Sequence, residues 1–313
     1  RQNVYRADQT QAAPEAEKKT KIERRQIMGI YDIFSGGRPF DKAEWAAQKQ
    51  AQREEIYEQI DNTCKKMMAD GSAFRQYLDI QGHFDRYSVN NAILVTAQMP
   101  EAMQLKDSNG WKQSHAYVEK GAQKITILEP GKPYQREDGT TAFGCQMKVV
   151  YDISQTTAKD RQKPQELKSM RELVAAMIDA SPVSFVPIEE LELPAFYDSG
   201  QQTIFIQTGL SEEQLFTGMA KEVSAAVFDF KHKESRDNSE FKSYCVAYMV
   251  SSRYGVDTKA FHFGQLPKEY ADMDMQTFKG ELGKMRDVLG EIQNDMYKSL
   301  GKNKPAKSKG QER

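Results

Sequence analysis

The stretch from residue 117 to 153 constrains the fold most. Ile125-Thr126-Ile127-Leu128 and the run from Phe143 to Ile153 are strand-like, and Cys145, Met147, Val149 and Tyr151 alternate onto one face. Between them lies Glu137-Asp138-Gly139-Thr140, whose Asp-Gly step reverses a chain within two residues. So tight a reversal joins only antiparallel neighbours. Together with Tyr117-Val118 and the Lys120-Gly121 turn, the segment reads as an antiparallel meander. Helical patterns flank it on both sides, which makes the expected class α+β.

Before the meander, Trp45, Ile56, Ile60, Cys64 and Met67 recur near helical spacing, and Gly71 is expected to end that helix. A second helix covers Phe74 to Ile80. A third, from about Ser88 to Gln98, places Val89, Ala92, Ile93 and Thr96 on one arc. Tyr87, Asn91 and Gln98 fall opposite if the helix starts early enough, and Pro100 closes it. Residues 1–25 read as a flexible leader, and residues 30–40 as a docking loop. Asp160 to Pro164 is a polar linker, dividing a mixed helix and antiparallel-sheet domain (26–160) from a second α+β domain (164–300). Residues 301–313 form a basic, disordered tail.

The second domain opens with a helix from Pro164 to Ala180 and the run Val183 to Val186. Ala195-Phe196-Tyr197 and Thr203 to Ile206 form a hairpin. Ser211 with Gln214 is a capping box for a helix whose stripe is Leu215, Phe216, Met219, Val223, Val227 and Phe230. Helices from Asn238 to Tyr254 and from about Asp274 to Leu300 follow.

The helix after Ser211 carries Lys221-Glu222-Val223-Ser224-Ala225. In an H-E-x-x-H zinc helix, imidazoles at i and i+4 share the metal, and the intervening Glu polarises its water. Here those two positions hold Lys221 and Ala225. An ammonium repels a dication and a methyl offers no lone pair, so Glu222 is a remnant with no bound water to deprotonate.

Other chemistries find no foothold. There is no Walker loop, G-x-G-x-x-G, G-x-S-x-G elbow or Cys-His nucleophile pattern. His83, His115, His232 and His262 are scattered. Cys64, Cys145 and Cys245 are too far apart in sequence for a C-x-x-C pair and read as buried thiols of a reducing compartment. No run of eighteen apolar residues exists, so a cytoplasmic protein without membrane insertion is expected. The net charge of -1 gives no global attraction to polyanions, so any nucleic-acid site is a local patch.

Several blocks resemble one family in order and spacing: Phe84-Asp85-Arg86-Tyr87-Ser88-Val89-Asn90-Asn91-Ala92-Ile93-Leu94-Val95, Ala97-Gln98-Met99-Pro100, Gly110-Trp111-Lys112, Lys120-Gly121 and Val150-Tyr151-Asp152-Ile153-Ser154-Gln155-Thr156. They resemble the amino-terminal domain of ArdC-like antirestriction proteins over roughly residues 50 to 157. The second half resembles the zincin-like metallopeptidase domain of that family and of LtrC-like proteins of conjugative elements. The resemblance implies a bacterial protein of a mobile element: a single-stranded DNA-binding domain followed by a zincin-like domain. A third zinc ligand would come from the next helix, where Tyr244 stands. Lys221, Ala225 and Tyr244 are therefore degenerate metal positions, and no metal or other cofactor is expected.

The expected DNA-binding set is Arg86, Tyr87, Asn90, Asn91, Gln98, Trp111, Lys112, Lys120, Lys124 and Lys148, combining cations for phosphates with rings and amides for bases. The alternative for each is structural: core aromatics, bracing amides, solvated lysines. Between Leu105 and Lys168, eleven Lys or Arg face eight Asp or Glu, which suggests modest, salt-sensitive binding. For Glu222 the alternative is a partly exposed helix carboxylate paired with a nearby Lys or Arg, and a hydrogen-bonded cluster of Lys221, Glu222 and Tyr244 is a further option. The expected function is non-catalytic protection of incoming single strands from restriction. The pseudo-metallopeptidase domain would serve scaffolding or a host or conjugation partner. The competing reading is an active metallopeptidase using unusual ligands such as His232.

Overall fold

In the computed structural model, residues 41–136, 138–161 and 168–302 are described. The expected leader, the docking loop at 30–40, most of the linker and nearly all of the basic tail lie outside them. The central hairpin forms as its turn dictates: β2 (Ile125–Gln135) runs antiparallel to β3 (Thr141–Asp152), from Ile125 opposite Val150 to Gln135 opposite Thr141. A register shift falls between Pro130 and Pro133, where a proline cannot donate to the ladder. The short β1 (Leu105–Lys106) pairs with the other edge of β3. The buried face of the hairpin is that of Ile125, Ile127 and Val150. On the face of the alternating set, Cys145 and Val149 are exposed. Cys145 therefore departs from the buried-thiol expectation, which Cys64 and Cys245 meet.

Helix α1 spans Lys42–Ala69, and α2 is Gly71–His83. The described residues up to Glu55 belong to one unit and those from Ile56 onward to a second. In the first, Asp41 caps α1 by accepting the N–H groups of Ala43 and Glu44, at 2.7 and 3.2 Å. Gly71 does not end a helix as expected but starts one. Asp70 is the N-cap, accepting the Ser72 N–H at 2.9 Å, and a Cβ on Gly71 would lie 2.1 Å from the Phe263 carbonyl oxygen. Helix α3 is Val89–Gln98, capped by Ser88. Tyr87 thus lies outside it, stacked on Phe84 with centroids 5.1 Å apart.

A small satellite core forms around Trp111, on α4 (Ser108–Gln113), with Ala116, Ile153 and Ala158. Asp152, also buried, accepts the N–H groups of Met103 and Gln104 at 2.8 Å and of Ser154 at 2.9 Å.

Helix α5 (Met170–Ala180) starts at a capping box of Ser169 and Glu172. Then come β4 (Ser184–Ile188), β5 (Ala195–Asp198) and β6 (Thr203–Gln207), in sheet order β4-β6-β5. The expected hairpin is β5 antiparallel to β6, whereas β4 lies parallel to β6. Helix α6 (Glu212–His232) carries the expected Ser211–Gln214 capping box and ends at Lys233 in the left-handed conformation, φ 57°. Helix α7 (Arg236–Arg253), the one-turn α8 (Lys268–Ala271) and the long α9 (Met275–Lys302) complete the order. The class is α+β. One core cluster receives Ile60, Phe74, Ile93 and Val150 from one side of the expected boundary near 160, and Leu173, Phe216, Val223, Val246, Phe278 and Leu289 from the other.

Between α2 and α7, Arg75 Nε donates to the Tyr248 hydroxyl at 2.9 Å, and that hydroxyl donates to Asp79 at 2.5 Å. Burial raises the Asp79 carboxyl above the ordinary range, against the lowering pull of Tyr248 and Arg75, and pushes the Tyr248 phenol up to about 12.

Candidate functional site

Glu222 sits halfway along α6, only 2% exposed. Both its oxygens are taken. Arg236, in the first turn of α7, donates Nε to Oε2 at 3.0 Å and Nη2 to Oε1 at 3.1 Å. The backbone N–H of Tyr197 on β5 donates to Oε2 at 2.9 Å. Burial acts to lower the Arg236 pKa, but the hydrogen bonds and charge of Glu222 outweigh it and hold the guanidinium above its ordinary value. A buried carboxylate in this state is tied in a fork to a permanent cation, with three of its roughly four acceptor sites used.

The cluster of Lys221, Glu222 and Tyr244 considered from the sequence does not form. Lys221 pairs with Glu240 at 3.3 Å. The Tyr244 hydroxyl accepts the His262 N–H at 2.6 Å, and burial raises its pKa. Ala225 is buried. This donor set does not fit the metal that the family resemblance implies: an ammonium, a methyl and a phenol already in use offer a dication no coordination shell. His232 ends α6 ten residues beyond Glu222, roughly 15 Å along a helix. It faces Glu291 at 3.5 Å instead. A cleft of about 160 Å³ lies over this region, lined by Leu193, Pro194, Lys221, Glu222, Tyr244 and Phe261 among others.

The expected DNA-binding residues divide into two groups. Four serve the fold. The Asn91 side chain donates to the Leu128 carbonyl and accepts its N–H, both at 2.8 Å. Gln98, two turns on, does the same to Thr126 at 2.9 and 2.8 Å. The pair, seven residues apart on one face of α3, binds alternate residues along the edge of β2 that β3 leaves open. Trp111 is 2% exposed, with its indole N–H on the Tyr151 carbonyl at 2.9 Å, so no ring face is open to a base. Lys148 bridges Glu129 at 2.7 Å and Asp107 at 3.1 Å, and both bonds raise its pKa.

The second group faces solvent. Arg86, Lys112, Lys120 and Lys124 are exposed, and no ion pair engages them among the described residues. Tyr87 and Asn90 are half-buried. The sequence reading missed Tyr117, which is 59% exposed, because its neighbours suggested an ordinary strand residue. It missed Arg236 for a different reason: nothing local in the sequence ties that residue to Glu222.

No family model matches the sequence, and no curated protein does. Among solved structures the chain is similar to the antirestriction protein ArdC from the R388 plasmid. The metal-free crystal structure aligns with a TM-score of 0.46 at 14% identity, over 68% of this chain and 86% of that one. The Mn(II)-bound structure aligns with a TM-score of 0.47 at 14% identity, over 70% and 86%. Among the described residues no helix is long and apolar enough to cross a membrane.

Proposed function

We propose that this chain is a non-catalytic single-stranded DNA-binding protein that shields incoming DNA from restriction, its second half serving as a scaffold or partner surface. The observation that carries the non-catalytic part is the state of Glu222, whose two oxygens are held by Arg236 and the Tyr197 N–H. A general base must take a proton, and a carboxylate forked to Arg236 would give up that ion pair by doing so, which makes Glu222 a poor base. The DNA-binding part is supported by the ordered sequence blocks between residues 84 and 156 and by the exposed Arg86, Lys112, Lys120 and Lys124, which suit phosphates. Protection then follows from occupancy: a coated strand is withheld from nucleases and can be passed to a host or conjugation protein.

The test is a fluorescence-anisotropy titration of the full chain with a labelled single strand and with the matching duplex. The single strand is expected to bind at low salt, to be preferred over the duplex, and to weaken as salt rises. No binding at low salt, or equal affinity for the duplex, overturns the reading.

A further inference from the structure

We propose that Tyr117 is the base-stacking platform of the single-strand site, flanked by Lys112 and Lys120 as phosphate partners; this rests on the DNA-binding reading above. Tyr117 stands on a fixed backbone. Its N–H donates to Thr157 Oγ1 at 3.1 Å, and its carbonyl accepts the Thr157 N–H at 2.9 Å. The next residues continue the pairing, with Val118 bridged to Thr156 and the Glu119 N–H on the Gln155 carbonyl at 2.9 Å.

In an extended segment neighbouring side chains point to opposite sides. Val118 packs inward on the satellite core of Trp111, Ala116, Ile153 and Ala158, and the Tyr117 ring is directed outward at 59% exposure. A lone exposed aromatic is unremarkable. Its setting distinguishes this one. Lys112 follows Trp111 on α4 and Lys120 stands in the turn before Gly121 (φ 85°), both exposed, while Glu119 on the Tyr117 side is paired with Lys159 at 3.2 Å. Lys106 lies over the Trp111 ring, 5.0 Å from its centroid, and donates to Ser114 at 2.7 Å, which ties β1 to α4 and the turn after it. An aromatic face on an ordered backbone with exposed cations a few residues away along the chain suits a sequence-tolerant single-strand site, since every base has a π-face. The two rings of the expected DNA-binding set are both partly or wholly engaged: Trp111 is buried and Tyr87 rests on Phe84.

The experiment compares wild type, Tyr117→Phe, Tyr117→Leu and Tyr117→Ala in anisotropy titrations with a labelled oligothymidine and with an abasic strand of equal length. Circular dichroism verifies that each variant is folded. Tyr117→Ala and Tyr117→Leu are expected to weaken oligothymidine binding about tenfold, with Tyr117→Phe within about twofold of wild type. The abasic strand is expected to bind all four proteins alike. If wild type binds oligothymidine and Tyr117→Ala binds it equally well, the Tyr117 assignment is overturned and the DNA-binding reading stands. Equal losses on both strands also overturn it, since they point to a structural role. Failure of wild type to bind either strand overturns the DNA-binding reading itself.

Discussion

The guanidinium of Arg236 lies over the ring of Phe196, 4.5 Å from its centroid. The cation that neutralises Glu222 is therefore packed on β5, the strand whose Tyr197 N–H the same glutamate accepts. One carboxylate thus joins α6, the start of α7 and β5.

Glu222→Gln should be strongly destabilising. The amide can satisfy only part of its donors and leaves the Arg236 charge, 18% exposed, without a counterion. Breaking a buried pair from one side costs about 3 kcal/mol or more. Urea unfolding checks this, and a loss under about 1 kcal/mol would show that Arg236 finds solvent or another acid readily.

Asn91→Ala and Gln98→Ala should each lower stability by about 1–2 kcal/mol, because each strips a donor and an acceptor from the edge of β2. Affinity of the folded variants for single strands should stay unchanged. A loss of affinity without a loss of stability would return these amides to the DNA site.

Gly71→Ala should cost roughly 1–3 kcal/mol, since the added methyl meets the carbonyl oxygens of Phe263 at 2.1 Å and Gly264 at 2.6 Å. The usual helical advantage of alanine over glycine, at most about 1 kcal/mol, is smaller than this clash. A thermal melt at or above that of wild type would contradict it.

Asp79 gives a pH dependence of defined sign. Its folded carboxyl titrates above the ordinary value, so the folded state binds the proton more tightly than the unfolded chain. The stability contributed is complete below the unfolded pKa, near about 4, and is lost as pH rises through the higher folded value. Asp79→Asn keeps an oxygen for the Tyr248 hydroxyl and does not titrate. The stability of wild type minus that of the variant should therefore fall between about pH 4 and pH 7. A difference that is flat across this range would rule out the buried-acid account.

Local grammar was easy to read. Period-two alternation and Asp138-Gly139 specify the β2–β3 hairpin, and Ser211 with Gln214 marks the start of α6, because both signals act within a few residues. Gly71 misled because a glycine after a helical run resembles a C-cap, whereas a contact with Phe263, far along the chain, requires it. Lys221, Ala225 and Tyr244 are poor ligands by residue type alone. What occupies Glu222 was not legible, because Arg236 follows the left-handed turn at Lys233 and belongs to another helix. The burial of Trp111 and the exposure of Tyr117 were not legible for a similar reason. Which ring is buried depends on the satellite core assembled from α4 and the residues after β3, and composition does not encode that.

Asn91 and Gln98 stand where a further β-strand would otherwise bond, and they mimic its peptide groups with their own amides. The sheet is thereby finished on that side by a helix, and another copy of the chain finds no vacant ladder at Thr126 and Leu128 on which to stack. Resistance to edge-to-edge polymerisation is thus built into two side chains whose chemistry at first suggests the reading of bases.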